Sequence, residues 1–118
     1  MELVAYLGKD KENWGQVTAL IRRGEWEKVL LIGSREAKEF PLEQNSEFIL
    51  VDSEKPMLSF KQELLEKIKA KIGGDFEVAL SLASGTGKEH MALISALLNI
   101  PVGVKIVVYT KEGLQFIT

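Results

Sequence analysis

Residues 76–110, FEVALSLASGTGKEHMALISALLNIPVGVKIVVYT, are the stretch that decides the fold class. The apolar run at 76–83 predicts a strand, and the β-branched run at 104–110 predicts another. Between them lie a loop with two glycines and a segment, 88–99, that is predicted to be helical. Two strands joined by a helix are typical of a parallel pair with a right-handed crossover. The stretch therefore predicts an α/β fold.

The same alternation of apolar runs and helical patterns extends towards both ends of the chain. A helix at 56–72 is predicted from an apolar stripe at helical spacing, and Gly73-Gly74 is expected to end it. A helix at 10–23 is expected to end with Gly24 in the C′ position. Residues 34–40 predict one or two helical turns. The remaining predicted strands are 2–7, 28–32, 47–51 and 114–117.

These elements predict one domain, 1–118, with a Rossmann-like three-layer sandwich. The sheet is expected to be six-stranded and mainly parallel, in the order 3-2-1-4-5-6, with helices on both faces. The last two strands are joined only by Lys111, Glu112 and Gly113. A connection this short predicts an antiparallel terminal hairpin.

Composition excludes several classes of function. The 118 residues carry 15 basic and 17 acidic side chains, a net charge of −2, so no basic field favours direct binding of DNA. The absence of cysteine argues against thiolate metal sites, disulfides and cysteine nucleophiles, and the single histidine argues against His-rich metal sites and Ser-His-Asp triads. No signal peptide or membrane-length apolar segment is evident. We therefore expect a soluble, cytoplasmic protein without cofactor, metal or membrane contact.

The predicted fold places a ligand crevice between the carboxyl ends of the first and fourth strands, where the strand order reverses. Gly85 and Gly87 in the second loop of this crevice would let backbone N–H groups approach an anion. The hydroxyls of Ser84 and Thr86 and the ammonium of Lys88 would complete the site. The alternative is a plain capping box, Thr86-x-x-Glu89, which needs no ligand.

The pattern departs from both common nucleotide motifs. A P-loop would need glycine and a hydroxyl residue where the chain has Leu82 and Glu89. A dinucleotide fingerprint would need more glycines than Gly8 in the first loop. The sequence therefore does not predict a site for ATP or NAD.

Other polar residues near the crevice have two interpretations each. Lys9, Asp10 and Asn13 could contact a base or sugar, but Asp10 could equally cap the first helix. Trp14 could stack on a base, although its place on the apolar stripe favours core packing. His90 is interpreted as an exposed polar residue, because no partner for catalysis is evident.

The predicted last helix is apolar nearly all the way round, from Met91 to Ile100. A helix of this kind is buried on two sides, of which one must face the sheet. We expect the other side to contact a second copy of the chain in a two-fold homodimer. The alternative is that the neighbouring long helix covers it.

The strand FEVALSLA, the loop SGTGK and the helix HMALISALLNI followed by VKIVVYT resemble the CARF (CRISPR-associated Rossmann fold) domain family. The Gly8-Lys9 loop after a short first strand and the terminal hairpin are also similar, so the likeness covers essentially the whole chain. The resemblance implies a free-standing, single-domain homodimer that binds a cyclic oligoadenylate, the second messenger of type III CRISPR antiviral signalling, across its two-fold axis.

The resemblance also implies roles for individual residues. The phosphates and riboses of the ring would contact Ser84, Gly85, Thr86 and Lys88, with Gly87 in the same loop. The same pocket would be lined by Gly8, Lys9 and Asp10.

Metal-independent cleavage of the ring is a further option, because in-line attack by a ribose 2′-hydroxyl needs mainly positioning and charge stabilisation. Lys88 would supply the charge, and Ser84 or Thr86 would orient the hydroxyl. No general base is visible, so binding with slow cleavage or none is the first hypothesis. The alternatives are a ring nuclease proper and a structural or interaction subunit without a nucleotide ligand.

Overall fold

Strands and helices alternate along the chain, as the computed structural model describes it for residues 1–43, 45–72 and 76–118. The strands are β1 (Glu2–Leu7), β2 (Val29–Gly33), β3 (Ser46–Leu50), β4 (Glu77–Ser81), β5 (Gly103–Thr110) and β6 (Gly113–Phe116). The helices are α1 (Trp14–Arg23), α2 (Met57–Lys69) and α3 (Gly87–Leu98). Among the described residues, none of the helices combines the length and apolar character that crossing a bilayer requires.

The six strands form one sheet in the order β3-β2-β1-β4-β5-β6, as predicted. The first five strands are parallel, and β6 pairs with β5 in the antiparallel direction. Central β1 is buried along its whole length between β2 and β4. The carboxyl ends of β1 and β4 therefore lie side by side at the point where the strand order reverses.

Helices cover both faces of the sheet, which confirms the three-layer architecture. Alternate side chains of β1 point to opposite faces, as in any strand. Tyr6 belongs to the core under α2 and α3, together with Phe60 of α2. Leu7 belongs to the core under α1, together with Val17 and Leu20. The prediction of a doubly covered α/β sheet is thus confirmed.

The first helical segment differs from the prediction at both ends. Residues Lys11–Asn13 form a 3-10 turn before α1 begins at Trp14. Gly24 does not adopt the left-handed C′ conformation, since its φ is −94°. Instead the Trp26 indole lies where a Gly24 side chain would project. Its Nε1–H donates to the Leu20 carbonyl at 2.7 Å, which also accepts from the Gly24 N–H at 3.0 Å, so the indole adds a second hydrogen bond at the end of α1.

Helix α2 and the segment at 34–40 also differ from their predicted form. Pro56 caps α2 from the position before its first residue, and α2 ends at Lys69, three residues earlier than predicted. The expected stop at Gly73-Gly74 lies outside the described residues. The segment predicted to make one or two helical turns is a 3-10 helix, Arg35–Glu39.

Candidate functional site

A cavity of about 520 Å³ opens at the carboxyl ends of β1 and β4, where the crevice was predicted. Six of the eight predicted ligand-binding residues line it, and Ser84 and Gly87 do not. The loop between β3 and α2 supplies a further wall. The lining residues are Gly8, Lys9, Asp10, Asn13, Ser53, Glu54, Gly85, Thr86, Lys88 and Glu89.

Ser84 joins the two loops that follow β1 and β4. Its side chain is buried, and its Oγ accepts a hydrogen bond from the Gly8 N–H at 2.8 Å. A Cβ on Gly8 would lie only 2.9 Å from the Cα of Gly85, so the two backbones touch because neither residue carries a side chain. The Ser84 hydroxyl was predicted to contact a ligand, but it instead binds the backbone of the β1 loop.

Gly85 and Gly87 flank Thr86, but they have different roles. Gly85 has a φ of +111°, a conformation that favours glycine. A Cβ there would lie 3.0 Å from the Tyr6 ring, 3.1 Å from His90 Nε2 and 3.2 Å from Glu89 Oε1. A Cβ on Gly87 would meet no described atom within 4 Å. The backbone conformation and the close neighbours therefore require a glycine at Gly85 but not at Gly87.

Thr86 and Glu89 form the capping box that the sequence left as an alternative. The Thr86 hydroxyl accepts from the Glu89 N–H at 3.2 Å, and the Glu89 carboxylate accepts from the Thr86 N–H at 2.8 Å. Such a box satisfies two N–H groups at the beginning of a helix without any ligand. Thr86 still lines the cavity, so capping and ligand contact are compatible at this residue.

The Lys88 ammonium is bound to the β3–α2 loop. It donates to the carbonyls of Ser53 at 2.9 Å and Lys55 at 2.6 Å, and lies 5.8 Å from the centre of the Phe60 ring. Lys88 is half-buried in this position. The side chain that was expected to stabilise charge on a ligand therefore holds one wall of the cavity in place.

Lys9 and Glu54 form an ion pair across the cavity mouth, with 3.3 Å between Nζ and Oε1. The hydrogen bond with Glu54 raises the pKa of the Lys9 ammonium. A second cavity of about 390 Å³ shares these two residues and Ser53 with the first. The Lys9–Glu54 pair thus stands between two cavities along the carboxyl edge of the sheet.

Acidic groups slightly outnumber basic ones around the main cavity. Lys9 and Lys88 supply two positive charges, while the carboxylates belong to Asp10, Glu54 and Glu89. The Asp10 carboxylate accepts from the Glu12 N–H at 3.0 Å and so caps the 3-10 turn, whereas the helix α1 that it was expected to cap has Asn13 at its N-cap. Phosphate would therefore meet a favourable field only near Lys9 at the mouth.

The sequence interpretation missed the contribution of the β3–α2 loop, which brings Ser53 and Glu54 to the cavity. These residues carry no motif. A signal was nevertheless present, because the carboxyl ends of all parallel strands meet at one edge of a sheet. Residues directly after β3 could have been considered on that ground.

Tyr6 was also missed, because a tyrosine within an apolar strand is indistinguishable from core. Its side chain is fully buried, and its hydroxyl makes no hydrogen bond of good geometry with any described residue. Burial raises the pKa of this hydroxyl well above its usual value, and the neighbouring Glu89 carboxylate raises it further. The Tyr6 hydroxyl is therefore neutral throughout the ordinary pH range.

His90 and Trp14 both support loops of the cleft. His90 is half-buried rather than exposed, and its Nε2 lies 2.7 Å from the Ser84 carbonyl, to which it donates in the Nε2–H tautomer. The Trp14 Nε1–H donates to the Gly8 carbonyl at 2.9 Å, and its ring packs edge-to-face on Phe40. Trp14 therefore packs in the core, as its place on the apolar stripe predicted.

The outer side of α3 is only partly covered. Helix α2 packs along one flank, and the two helices share a core. Met91 and Leu98 remain exposed, Leu98 with 75% of its surface. A narrow apolar groove of about 110 Å³ runs between α3 and β5, lined by Leu80, Ile94, Leu97, Leu98, Val104, Ile106 and Thr118. The alternative interpretation, that α2 covers the second side of this helix, thus applies to one flank, and contact of the other flank with a second copy stays a prediction.

Comparison with known proteins adds no assignment to this geometry. The chain matches no protein-family model and no curated protein sequence. The site is therefore interpreted from its own residues.

Proposed function

We propose that the cavity at the ends of β1 and β4 binds a cyclic oligoadenylate, as the resemblance to CARF domains implies. The observation that carries the proposal is the cavity itself, which lies at the topological switch point and is walled by the first turn of α3. Open α/β sheets bind ligands in this place. At about 520 Å³ the cavity is within the range of about 300–1,000 Å³ that is usual for small-molecule sites.

A ring of several nucleotides is larger than one such cavity, so the proposal includes a second copy of the chain. The exposed apolar residues Met91 and Leu98 and the groove between α3 and β5 support a contact between copies on this flank of α3. A two-fold axis is the commonest symmetry for such a contact. Two cavities related by that axis would hold the ring together.

Within the cavity, Lys9 is the residue proposed to contact phosphate. Its ammonium is half exposed, and its partner Glu54 is mostly exposed. An ion pair this exposed to water contributes little to stability, so a phosphate could replace Glu54 at small cost. Lys88 is less suited, since its ammonium already donates to two carbonyls.

Binding is proposed ahead of cleavage. The Ser84 hydroxyl accepts from Gly8, and the Lys88 ammonium holds the Ser53 and Lys55 carbonyls. Ser84 is also buried and does not line the cavity, and two of the three Lys88 N–H groups are used by these carbonyls. These commitments support a receptor or ligand sink with slow ring cleavage or none.

The test is thermal unfolding with cyclic tri-, tetra- and hexa-adenylate, with ATP and linear tetra-adenylate as controls. A ring at 100 times its Kd should add about 2.7 kcal/mol to the free energy of unfolding, a shift of several degrees. Lys9→Ala should weaken binding, whereas Lys11→Ala removes a charge from the same loop outside the cavity and should not. If no ring shifts the transition, the proposal is wrong. Linear product formed in the presence of EDTA would instead indicate a metal-independent ring nuclease.

An interaction subunit without a nucleotide ligand is the second candidate, and the apolar groove between α3 and β5 favours it. Sedimentation of the wild type and of Leu98→Glu distinguishes the two. Self-association that is lost in the variant, together with no response to any ring, would support the interaction subunit. Self-association that a ring strengthens would support the receptor.

A further inference from the structure

The Tyr6 hydroxyl is a buried polar group that the fold does not explain. The ring packs edge-to-face on Phe60, with centroids 6.4 Å apart, and would be as well accommodated as phenylalanine. The hydroxyl has no hydrogen-bond partner of good geometry among the described residues. Buried polar groups are nearly always paired in folded proteins, so an unpaired one points to a missing partner.

Tyr6 does not line the main cavity itself, but it lies directly behind residues that do. Gly85, which lines the cavity, sits over the ring, since a Cβ there would be 3.0 Å from Tyr6 Cδ1 and 3.2 Å from Glu89 Oε1. The hydroxyl lies beside the side chains of Glu89 and Ser53. Both of these side chains line the cavity. The unpaired hydroxyl thus belongs to a polar floor made by Tyr6, Ser53 and Glu89.

This floor has the wrong charge for phosphate. Glu89 is buried and uses one carboxylate oxygen to accept the Thr86 N–H, but a carboxylate can accept several hydrogen bonds. Its remaining capacity suits a donor that enters from the cavity. The Ser53 hydroxyl beside it can donate to an acceptor. A fitting ligand edge is therefore uncharged and carries an N–H donor next to an acceptor.

Adenine has such an edge, because its exocyclic amine donates next to a ring nitrogen that accepts. Hypoxanthine and guanine place a carbonyl oxygen at the position of the amine, where it would face the Glu89 carboxylate. Two acceptors facing each other leave both groups without a donor, which costs binding energy. The floor therefore discriminates between purines by the group at this one position.

We propose that the polar floor of Tyr6, Ser53 and Glu89 recognises the amino edge of adenine, while the phosphates stay at the mouth beside Lys9. Glu89 accepts from the amine, and Ser53 donates to the ring nitrogen. Tyr6 is a positioning residue that donates to Glu89 once the ligand has ordered the floor. This inference rests on the proposed function and deepens it, because it names the ligand edge that the cavity selects.

The experiment measures Kd by calorimetry for the adenylate ring that stabilises the wild type and for the same ring with hypoxanthine bases. The wild type should bind the adenylate ring at least about tenfold more tightly, as expected for one hydrogen bond to a charged group. Glu89→Gln keeps a residue that is suitable for the capping box, so α3 should remain folded. This variant should reduce the preference to less than about threefold.

The Tyr6→Phe variant distinguishes a role in ligand recognition from a role in stability, because the unfolding temperature and the preference for adenine are measured separately. The variant should unfold at the same temperature as the wild type or higher, because it removes an unpaired buried hydroxyl. It should nevertheless lose most of the preference for adenine. Equal binding of both rings by the wild type, or an unchanged preference in Tyr6→Phe, overturns the inference and leaves the proposed function standing.

A parallel titration with adenosine 5′-monophosphate and inosine 5′-monophosphate separates the two proposals. If no ring binds, the proposed function is wrong, and this pair of mononucleotides decides the inference alone. A preference for the adenosine compound that Glu89→Gln abolishes would support it. Equal effects of the two compounds, or none, would overturn it.

Discussion

The two walls of the cleft are held together by different means. On one side the loops after β1 and β4 interlock through backbone contacts, with Gly8 against Gly85 and the buried Ser84 hydroxyl between them. On the other side the β3–α2 loop is held by charged side chains, mainly Lys88 and Glu63. The first wall is close-packed backbone, whereas the second depends on contacts that water can replace.

This difference indicates which part of the cleft can adapt to a ligand. Backbone packed at van der Waals distance tolerates little displacement, because interiors are as dense as crystals. Long side chains that bind part-buried loop carbonyls can exchange those partners for water at a smaller cost than displacing packed backbone. We therefore expect the β1–β4 wall to stay in place and the β3–α2 wall to move on binding. Four substitutions test this comparison.

Gly85→Ala should have the largest effect, because it forces an alanine into a φ of +111° and its Cβ against Tyr6. We expect the free energy of unfolding to fall by about 2–3 kcal/mol in chemical denaturation. Gly87→Ala is the matched control, since its Cβ meets open space at the beginning of α3. It should be neutral or stabilising by up to about 1 kcal/mol. Equal effects of the two variants would contradict the distinction between these glycines.

Ser84→Ala should cost about 1–3 kcal/mol, because the buried Gly8 N–H loses its acceptor. Ser34→Ala serves as a control, since the Ser34 hydroxyl donates only to Glu36 at the surface. The control should change the free energy of unfolding by less than about 0.5 kcal/mol. A Ser84→Ala variant as stable as the control would show that the two loops do not depend on this hydroxyl.

Lys88→Met should cost only about 1 kcal/mol, since the freed carbonyls of Ser53 and Lys55 can bind water. Its main consequence should be local. Amide hydrogens at 52–55 should exchange faster, while those of β1 and β4 stay protected. Lys61→Met, which removes a surface contact with Asn99, should leave the loop unchanged. Unchanged exchange at 52–55 in Lys88→Met would mean that the lysine does not hold this wall.

Glu63 should give the smallest effect, and it should depend on pH. Partial burial acts to raise the pKa of its carboxyl, but hydrogen bonds from Lys67 and the Asp52 N–H outweigh this, and the pKa is lowered below the ordinary 4.5. A lowered pKa contributes stability above the unfolded value, which is lost as pH falls through the folded value.

Glu63→Gln should therefore be less stable than the wild type by under about 1 kcal/mol near pH 7, and the difference should shrink as the pH falls below the ordinary 4.5 and through the lowered pKa of the folded state. Denaturant titrations at several pH values measure it. A difference that persists in acid would show that the charge of Glu63 is not what supports the loop.

Much of the fold could be predicted from local pattern. Each strand is a short apolar run bounded by turn residues. Helices α1 and α2 each have an apolar stripe at helical spacing, and α3 is apolar nearly all the way round, so the order of elements follows from the chain itself. Element ends could not be predicted as well, because side chains from elsewhere decide them. Gly24 is an example, since α1 ends there without a left-handed residue, and the Trp26 indole fills the space beside it and adds a hydrogen bond to the Leu20 carbonyl.

The position of the candidate site could be predicted, but the hydrogen bonds that its side chains already make could not. The glycines of the β4–α3 loop and the rule for switch points indicated the right edge of the sheet. No local pattern showed that Ser84 is committed to Gly8, or that Lys88 turns towards the β3–α2 loop. These partners lie 76 and 33–35 residues away along the chain.

By itself the sequence determined the α/β class, the strand order, the antiparallel pairing of the last two strands and the place of the crevice. These properties depend on local periodicity and on handedness rules that hold for any chain. Only the tertiary structure decided which polar groups remain unpaired, Tyr6 above all, and which are already bound. Hydrogen bonding is a pairwise property of atoms, so whether a side chain is free depends on partners that packing brings together.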